Sequence, residues 1–488
     1  MVFQDKDTFP IKEENESNDL EYIKFGSQTP LKTLLLLLGG PLLSNLTNAT
    51  YGMFDSMWIS KSIGEYGLTV VSSCFLVEYI VQAFGNFINI SVSSQISYLF
   101  GQKRNETAHE VVSDLFRFCL LIGFGVPLLF LPFIKSLIRW ISSDDGIVNE
   151  GFKYLLPNIG CFVVPSIYLL LCGVLQGEGK TWYFGMIQVV SLCLNMLVFD
   201  PLFLLYFRTG VWGASLATVI SQLIPTIFLF IQIKREKVTS RLTIFPLFRP
   251  FVPETYTAIK VGFSSFIMHL STAFPVILMQ KYVSLASKAI GQFDSIMALW
   301  NVLNRIYFLS MCIMMAITSA YLPSASYAFG GSLFSRILSL TLHSFWIATS
   351  WAVVCSIMMC IFPGEVAGIW SKGTDFLYWA RKIIPNNFYT LSLCPMRAIA
   401  TALLQAMKEP GKASMLSIVT MLIPIPIFST IFYYTKKDDP LRIFRVFIIS
   451  DIFSFIVSIF VAVKPLHNLV KLEEEKAVEE EDEIIDSL

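Results

Sequence analysis

Between residues 31 and 463 the chain alternates long apolar runs with short polar turns. The runs fall near 31–58, 67–99, 111–135, 151–175, 182–207 and 211–233. A second set follows near 256–283, 289–324, 335–361, 375–405, 411–434 and 441–463. Each is long enough to cross the hydrocarbon core of a bilayer as a helix, which takes about 20 apolar residues. Barrel strands would instead alternate over about 10 residues, and only helices and closed barrels satisfy a backbone in lipid. The predicted fold class is therefore an all-α integral membrane protein with twelve transmembrane helices.

Composition agrees. Of 488 residues, 54% are hydrophobic and 15% charged, against about 25% charged in soluble chains. Net charge is zero, and no basic patch with interleaved aromatics suggests a nucleic-acid partner. The nine cysteines lie in apolar runs without a CxxC pair, so they are expected to be small buried apolar residues. Four histidines with no HExxH motif and no Ser/His/Asp grouping argue against an enzyme.

Residues 1–30 form a polar tail followed by a full-length apolar run, which predicts an uncleaved insertion signal rather than a signal peptide. The longest basic interruption is 233–250, where Pro246 and Pro250 stop any helix from running through. This predicts an N-lobe of spans one to six (31–233), a cytoplasmic linker (234–255), a C-lobe of spans seven to twelve (256–463) and an acidic tail (464–488). The tail, LEEEKAVEEEDEIIDSL, is expected to be solvated and disordered. The halves repeat: Ser97-Tyr98-Leu99-Phe100-Gly101 returns as Ser326-Tyr327-Ala328-Phe329-Gly330, and Leu175-Gln176-Gly177-Glu178-Gly179-Lys180 returns from Leu404 to Lys412. Both pairs are 229 positions apart (97 to 326, 175 to 404). Six spans per half keep one orientation, so the repeat is parallel. Lysines and arginines divide almost evenly between the two sets of short loops, and those of the tails tip the termini to the cytoplasm. No organelle address is present, so the cell membrane is expected.

A carboxylate inside a membrane is a functional candidate by default. Asp55, Glu78 and Asp200 qualify in the first half; Asp114 reads as a solvated span end. Glu78, Gln82, Asn86, Asn89, Ser93 and Ser97 step by three or four residues and share one helix face. Ser44, Asn48 and Asp55 repeat the pattern more sparsely. Such a stripe either glues helices together or lines a hydrated cavity, and the cavity is favoured. The second half offers Lys260, His269, Asp294, Asn301, Asn304, Arg305 and Asp451. His269 reads as a packing residue. Arg305 is a candidate for the cavity wall, and Asp451 either pairs with a base such as Arg445 or lines the cavity.

These residues resemble the multidrug and toxic compound extrusion (MATE) transporters. The likeness begins at Phe54-Asp55-Ser56-Met57-Trp58 with the run to Gly64, and continues at Gly101-Gln102 and Leu175–Lys180. It extends through Asn195 with Asp200-Pro201-Leu202 to Gly213-Ala214-Ser215-Leu216-Ala217-Thr218. The second half matches through its spans, Arg305 and the repeated span-four exit. The resemblance implies a twelve-helix, two-lobed, monomeric antiporter in the lipid bilayer. It would export small organic compounds, cationic or amphipathic, against inward H⁺ or Na⁺ by alternating access, with no cofactor beyond that ion. It also implies that Asp55 and Asp200 carry the coupling ion, with Asn195 nearby and a cationic substrate competing for the acid. Two features depart from the family. Asn195 and Asp200 are five residues apart rather than four, about 140° around an ideal helix, and span seven lacks a carboxylate. A lipid-linked sugar flippase of the same fold group would line its cavity with Arg and Lys for anionic headgroups, and a channel would show a filter-like segment.

Overall fold

The computed structural model describes residues 25–141, 144–234 and 249–486. Most of the polar tail (1–24) and of the linker (235–248), Pro246 included, lies outside the described residues.

Every described element is helical. The first half contains α1 (Pro30–Ile63), α2 (Glu65–Gly101), α3 (Asn105–Phe130), α4 (Ile134–Ile141), α5 (Asp145–Gly160), α6 (Val163–Gly177), α7 (Thr181–Cys193) and α8 (Val211–Lys234). The second contains α9 (Pro253–Ala289), α10 (Phe293–Gly330), α11 (Phe334–Ile361), α12 (Pro363–Ala367), α13 (Thr374–Phe388), α14 (Cys394–Ala406), α15 (Pro410–Ser417), α16 (Pro424–Thr435), α17 (Pro440–Phe444) and α18 (Val446–Asp486). Helix covers all twelve predicted spans. Among the described residues nine helices are long and apolar enough to cross a membrane, and the bent pair α5–α6 makes a tenth. Ser44, Asn45, Thr47 and Asn48 dilute the apolar run of α1.

Several predicted spans are interrupted, among them four and ten. Span four bends by 49° between α5 and α6, just after Pro157 removes a backbone donor. Span ten stops at Phe388 and restarts at Cys394, where Pro395 sits in the first turn and lacks the N–H that a continuous helix needs. The acidic end is not disordered up to Asp486: α18 continues for 41 residues, roughly 60 Å at 1.5 Å per residue. Leu469 of α18 is buried, and the Glu473 carboxylate accepts the Ser335 backbone N–H at 3.0 Å near the start of α11.

The chain divides into two compact units. One holds Leu36–Phe266; the other holds Gly26–Leu35 with residues 267–486. In the first, α2 packs along α6 so closely that a Cβ on Gly173 would lie 2.8 Å from the Asn89 carbonyl oxygen. The α1–α7 crossing is tighter still, since a Cβ on Gly40 would lie 1.7 Å from the Thr181 carbonyl oxygen.

The 229-residue repeat is visible in the backbone. Helices α2 and α6 end at Gly101 and Gly177, and α10 and α14 end at Gly330 and Ala406. All four then close with the same turn, in which the N–H of Arg104, Lys180, Leu333 or Glu409 reaches back five residues to a carbonyl. The residue before that donor is left-handed each time: Lys103, Gly179, Ser332 and Lys408, with φ of 59°, 69°, 54° and 60°. This is the glycine-terminated helix cap, and only one of the four uses glycine. A side chain there costs roughly 1 kcal/mol. Ser332→Gly is therefore expected to raise the thermal midpoint of detergent-purified protein by roughly 1 °C; a lower midpoint contradicts the assignment of strain.

Candidate ion-coupling site

Asp55 lies on α1, Glu78 on α2 and Tyr154 on α5, while Asn195 and Asp200 lie on the continuation of α7 and Thr218 on α8. All belong to the Leu36–Phe266 unit. A shared apolar core holds these helices together, including Ile59, Val70, Val77, Val81, Leu155, Leu204 and Ala214.

The continuation of α7 is a π-helix, Leu194–Phe199 and Pro201–Tyr206. In this winding the Asp200 N–H reaches the carbonyl of Asn195, five residues back. Residues five apart are then stacked rather than 140° apart, and the Asn195 amide donates to Asp200 Oδ1 at 3.2 Å. The spacing that departs from the family pattern is thus absorbed by the helix type. Wide π turns leave carbonyls poorly used, and α1 takes two of them. Trp58 Nε1 donates to the Met196 carbonyl at 3.1 Å, and Ser62 Oγ to that of Leu204 at 2.9 Å.

Asp55 and Asp200 are 8% and 0% exposed, and Asn195 is 1% exposed. Asp55 Oδ1 and Asp200 Oδ2 are buried acceptors with no donor. Such atoms are costly unless a proton or cation satisfies them. Asp55 lies within electrostatic range of both Asp200 and Glu78. Glu78 is partly open, and its Oε1 accepts the Tyr154 hydroxyl at 2.7 Å. The Tyr51 hydroxyl donates to Thr218 Oγ1 at 2.7 Å and is in electrostatic range of Asp55 and Asp200. None of the interactions of the three carboxylates among the described residues involves Lys, Arg or His. The cluster is acidic and, among the described residues, has no internal countercharge.

Sequence reasoning missed Tyr51, Tyr154 and Thr218. Tyr51 was within reach, because it stands four residues before Asp55 on the same helix face. Nothing in the apolar run around Tyr154 distinguishes it from a packing residue, and Thr218 entered only as the end of the Gly213–Thr218 likeness.

The polar stripe of α2 divides into parts. Gln82 is exposed and Asn86 partly so. Below them Asn89 Nδ2 donates to the Leu169 carbonyl at 3.3 Å and Ser97 Oγ to that of Gly177 at 2.9 Å. That lower part binds the helices together, with Asn89 still partly open and Ser93 and Ser97 buried. Asn48 on α1 is exposed. In the other unit Arg305 is exposed, as are Asn301, Asn304 and Asp294.

Three readings are corrected. Asp114 is not a solvated end: it is 3% exposed and paired with Arg117. Asp451 accepts the Thr390 hydroxyl at 2.7 Å, with Arg397 rather than Arg445 as its basic neighbour. Cys161 and Cys193 are exposed rather than buried.

The MatE family model matches residues 42–202 and 262–429. YoeA of Bacillus subtilis, whose name refers to multidrug resistance, is 20% identical over 83% of this chain and 88% of its own length. The multidrug export protein MepA of Staphylococcus haemolyticus is 21% identical over 79% and 83%. Among solved structures, a MATE crystallised with the ligand MaL6 superposes with a TM-score of 0.84 at 19% identity, covering 94% of this chain and all of the other. A MOP-superfamily transporter from Pyrococcus furiosus, described as having a binding pocket of reverse polarity, also gives 0.84 at 19% identity, over 95% of this chain and all of the other. With the family model spanning well over half of its length, the chain belongs to the MATE family of multi-pass membrane transporters and is not an enzyme.

Proposed function

We propose that this protein is a secondary antiporter that exports organic cations in exchange for H⁺ or Na⁺, by alternating access of two six-span lobes. The observation that carries this reading is the membrane-embedded cluster of Asp55, Asp200 and Glu78, which has two donorless carboxylate oxygens and, among the described residues, no base. An uncompensated acidic cluster in low dielectric attracts cations and must be neutralised before it can be enclosed. It can therefore alternate between a small cation and an organic one. The relatives named for multidrug export support the direction of transport. The Pyrococcus transporter is a reminder that this fold hosts pockets of different polarity, so the charge of the cluster, not the fold, argues for cations. The same charge disfavours the flippase reading, which calls for basic residues. The reading includes the cell membrane as location and cytoplasmic termini.

In liposomes, purified protein is expected to concentrate a fluorescent organic cation when an H⁺ or a Na⁺ gradient is imposed separately. A flux that follows neither gradient contradicts the proposal and points to a channel.

A further inference from the structure

We propose that the two cargoes use different carboxylates of the one cluster, with the coupling ion on Asp55 and Asp200 and the organic cation on Glu78. This rests on the exchange function above but replaces simple competition for a single acid.

Access separates the three acids. Asp200 is fully buried and Asp55 nearly so, so a bulky cation cannot touch them without prising α1 from α7. That crossing is held by the Trp58 and Ser62 hydrogen bonds and by the close approach at Gly40. A proton or bare metal ion needs no such opening, and the orphaned oxygens are suited to it. Glu78 is partly open, and Gln82 and Asn86, the next positions on its face, are open too. A polar face of this kind is too costly to set against lipid, so it belongs to a wetted surface that an organic ligand can enter.

Chemistry separates them as well. The Tyr154 hydroxyl fixes Glu78 Oε1 and leaves the other oxygen for a ligand. Among the described residues no three His, Cys, Asp or Glu side chains sit close enough to hold one metal ion together. The cluster is therefore not one shared chelate. Asp55 and Glu78 still interact electrostatically, and that interaction is the coupling: filling one position weakens the attraction at the other.

Binding to detergent-purified full-length protein tests this, with tetraphenylphosphonium as the cation and triphenylphosphine oxide as an uncharged aromatic probe. Coulomb attraction acts on the first and not on the second. Glu78→Gln, which keeps an acceptor for Tyr154, is expected to weaken the cation about tenfold and to leave the uncharged probe within about twofold. Its H⁺ or Na⁺ dependence of binding is expected to persist with the midpoint moved to higher ion concentration, because the Glu78 charge no longer assists ion binding at Asp55. Asp55→Asn is expected to do the reverse, losing the ion dependence while keeping cation affinity within about threefold. Glu78→Asp, which retains the charge, is expected to restore the ratio of the two affinities and guards against a variant that merely folds poorly. Equal losses for both probes in Glu78→Gln, or about a tenfold loss of cation affinity in Asp55→Asn, overturn the proposal. Wild-type protein that binds both probes yet exchanges nothing in liposomes contradicts the antiporter reading instead.

Discussion

Asp55→Asn is expected to reduce gradient-driven accumulation of an organic cation to the level of protein-free liposomes. The substitution is isosteric, so the packing around Ile59 and the contacts of Trp58 and Ser62 need not change. What is lost is chemistry. Asp55 Oδ1 is buried without a donor, and a carboxylate so placed can exchange a proton or cation between two membrane faces where an amide cannot. Asp200 does not substitute for it, since one of its oxygens is already engaged by Asn195 at 3.2 Å and the proposed ion position needs both acids. Bilayer leak must be subtracted, and binding of the same cation serves as the control for folding. A variant that still concentrates the cation up to the wild-type ratio removes Asp55 from the coupling site.

The helices of this protein are legible because lipid imposes length and apolarity on every span, and all twelve apolar runs are helical. The repeat is legible for a different reason: the residues before each of the four helix caps were retained as short motifs. What hides is departure from regular winding. A period of 3.6 sends Asn195 and Asp200 to different faces, and only the π-helix brings them together. Pro201 hinted at distortion without saying which kind. Span breaks were equally hidden, since Phe388–Cys394 is as apolar as its flanks. The stripe of α2 was visible as a stripe, but its division into glue at Asn89 and Ser97 and open face at Gln82 depends on where α6 lies. Asp114 was misread because its position near a span start says nothing about what folds over it.

What folds over Asp114 also makes it a sensitive structural site in the first unit. The Asp114 carboxylate pairs with Arg117 and accepts the Val252 N–H at 2.7 Å and the Thr255 hydroxyl at 3.0 Å. Arg117 in turn donates to the Arg249 carbonyl at 2.8 Å and lies 5.5 Å from the centre of the Phe251 ring. Arg104–Glu254 and Arg249–Glu110 add exposed pairs, worth little individually. The buried pair thus fastens the segment entering α9 onto α3. Arg117→Met would strip Asp114 of its only basic partner among the described residues while leaving the charge enclosed, and breaking a buried pair in this way costs about 3–5 kcal/mol. A sharp fall in folded yield and in thermal midpoint is expected. Asp114→Asn in the Arg117→Met background is expected to recover part of the loss, because a neutral amide can still accept from Val252 and Thr255 without a stranded charge. If Arg117→Met alone unfolds within about 1 kcal/mol of wild type, the pair is not what holds the start of α9, since a loss that small is what a single neutral hydrogen bond supplies.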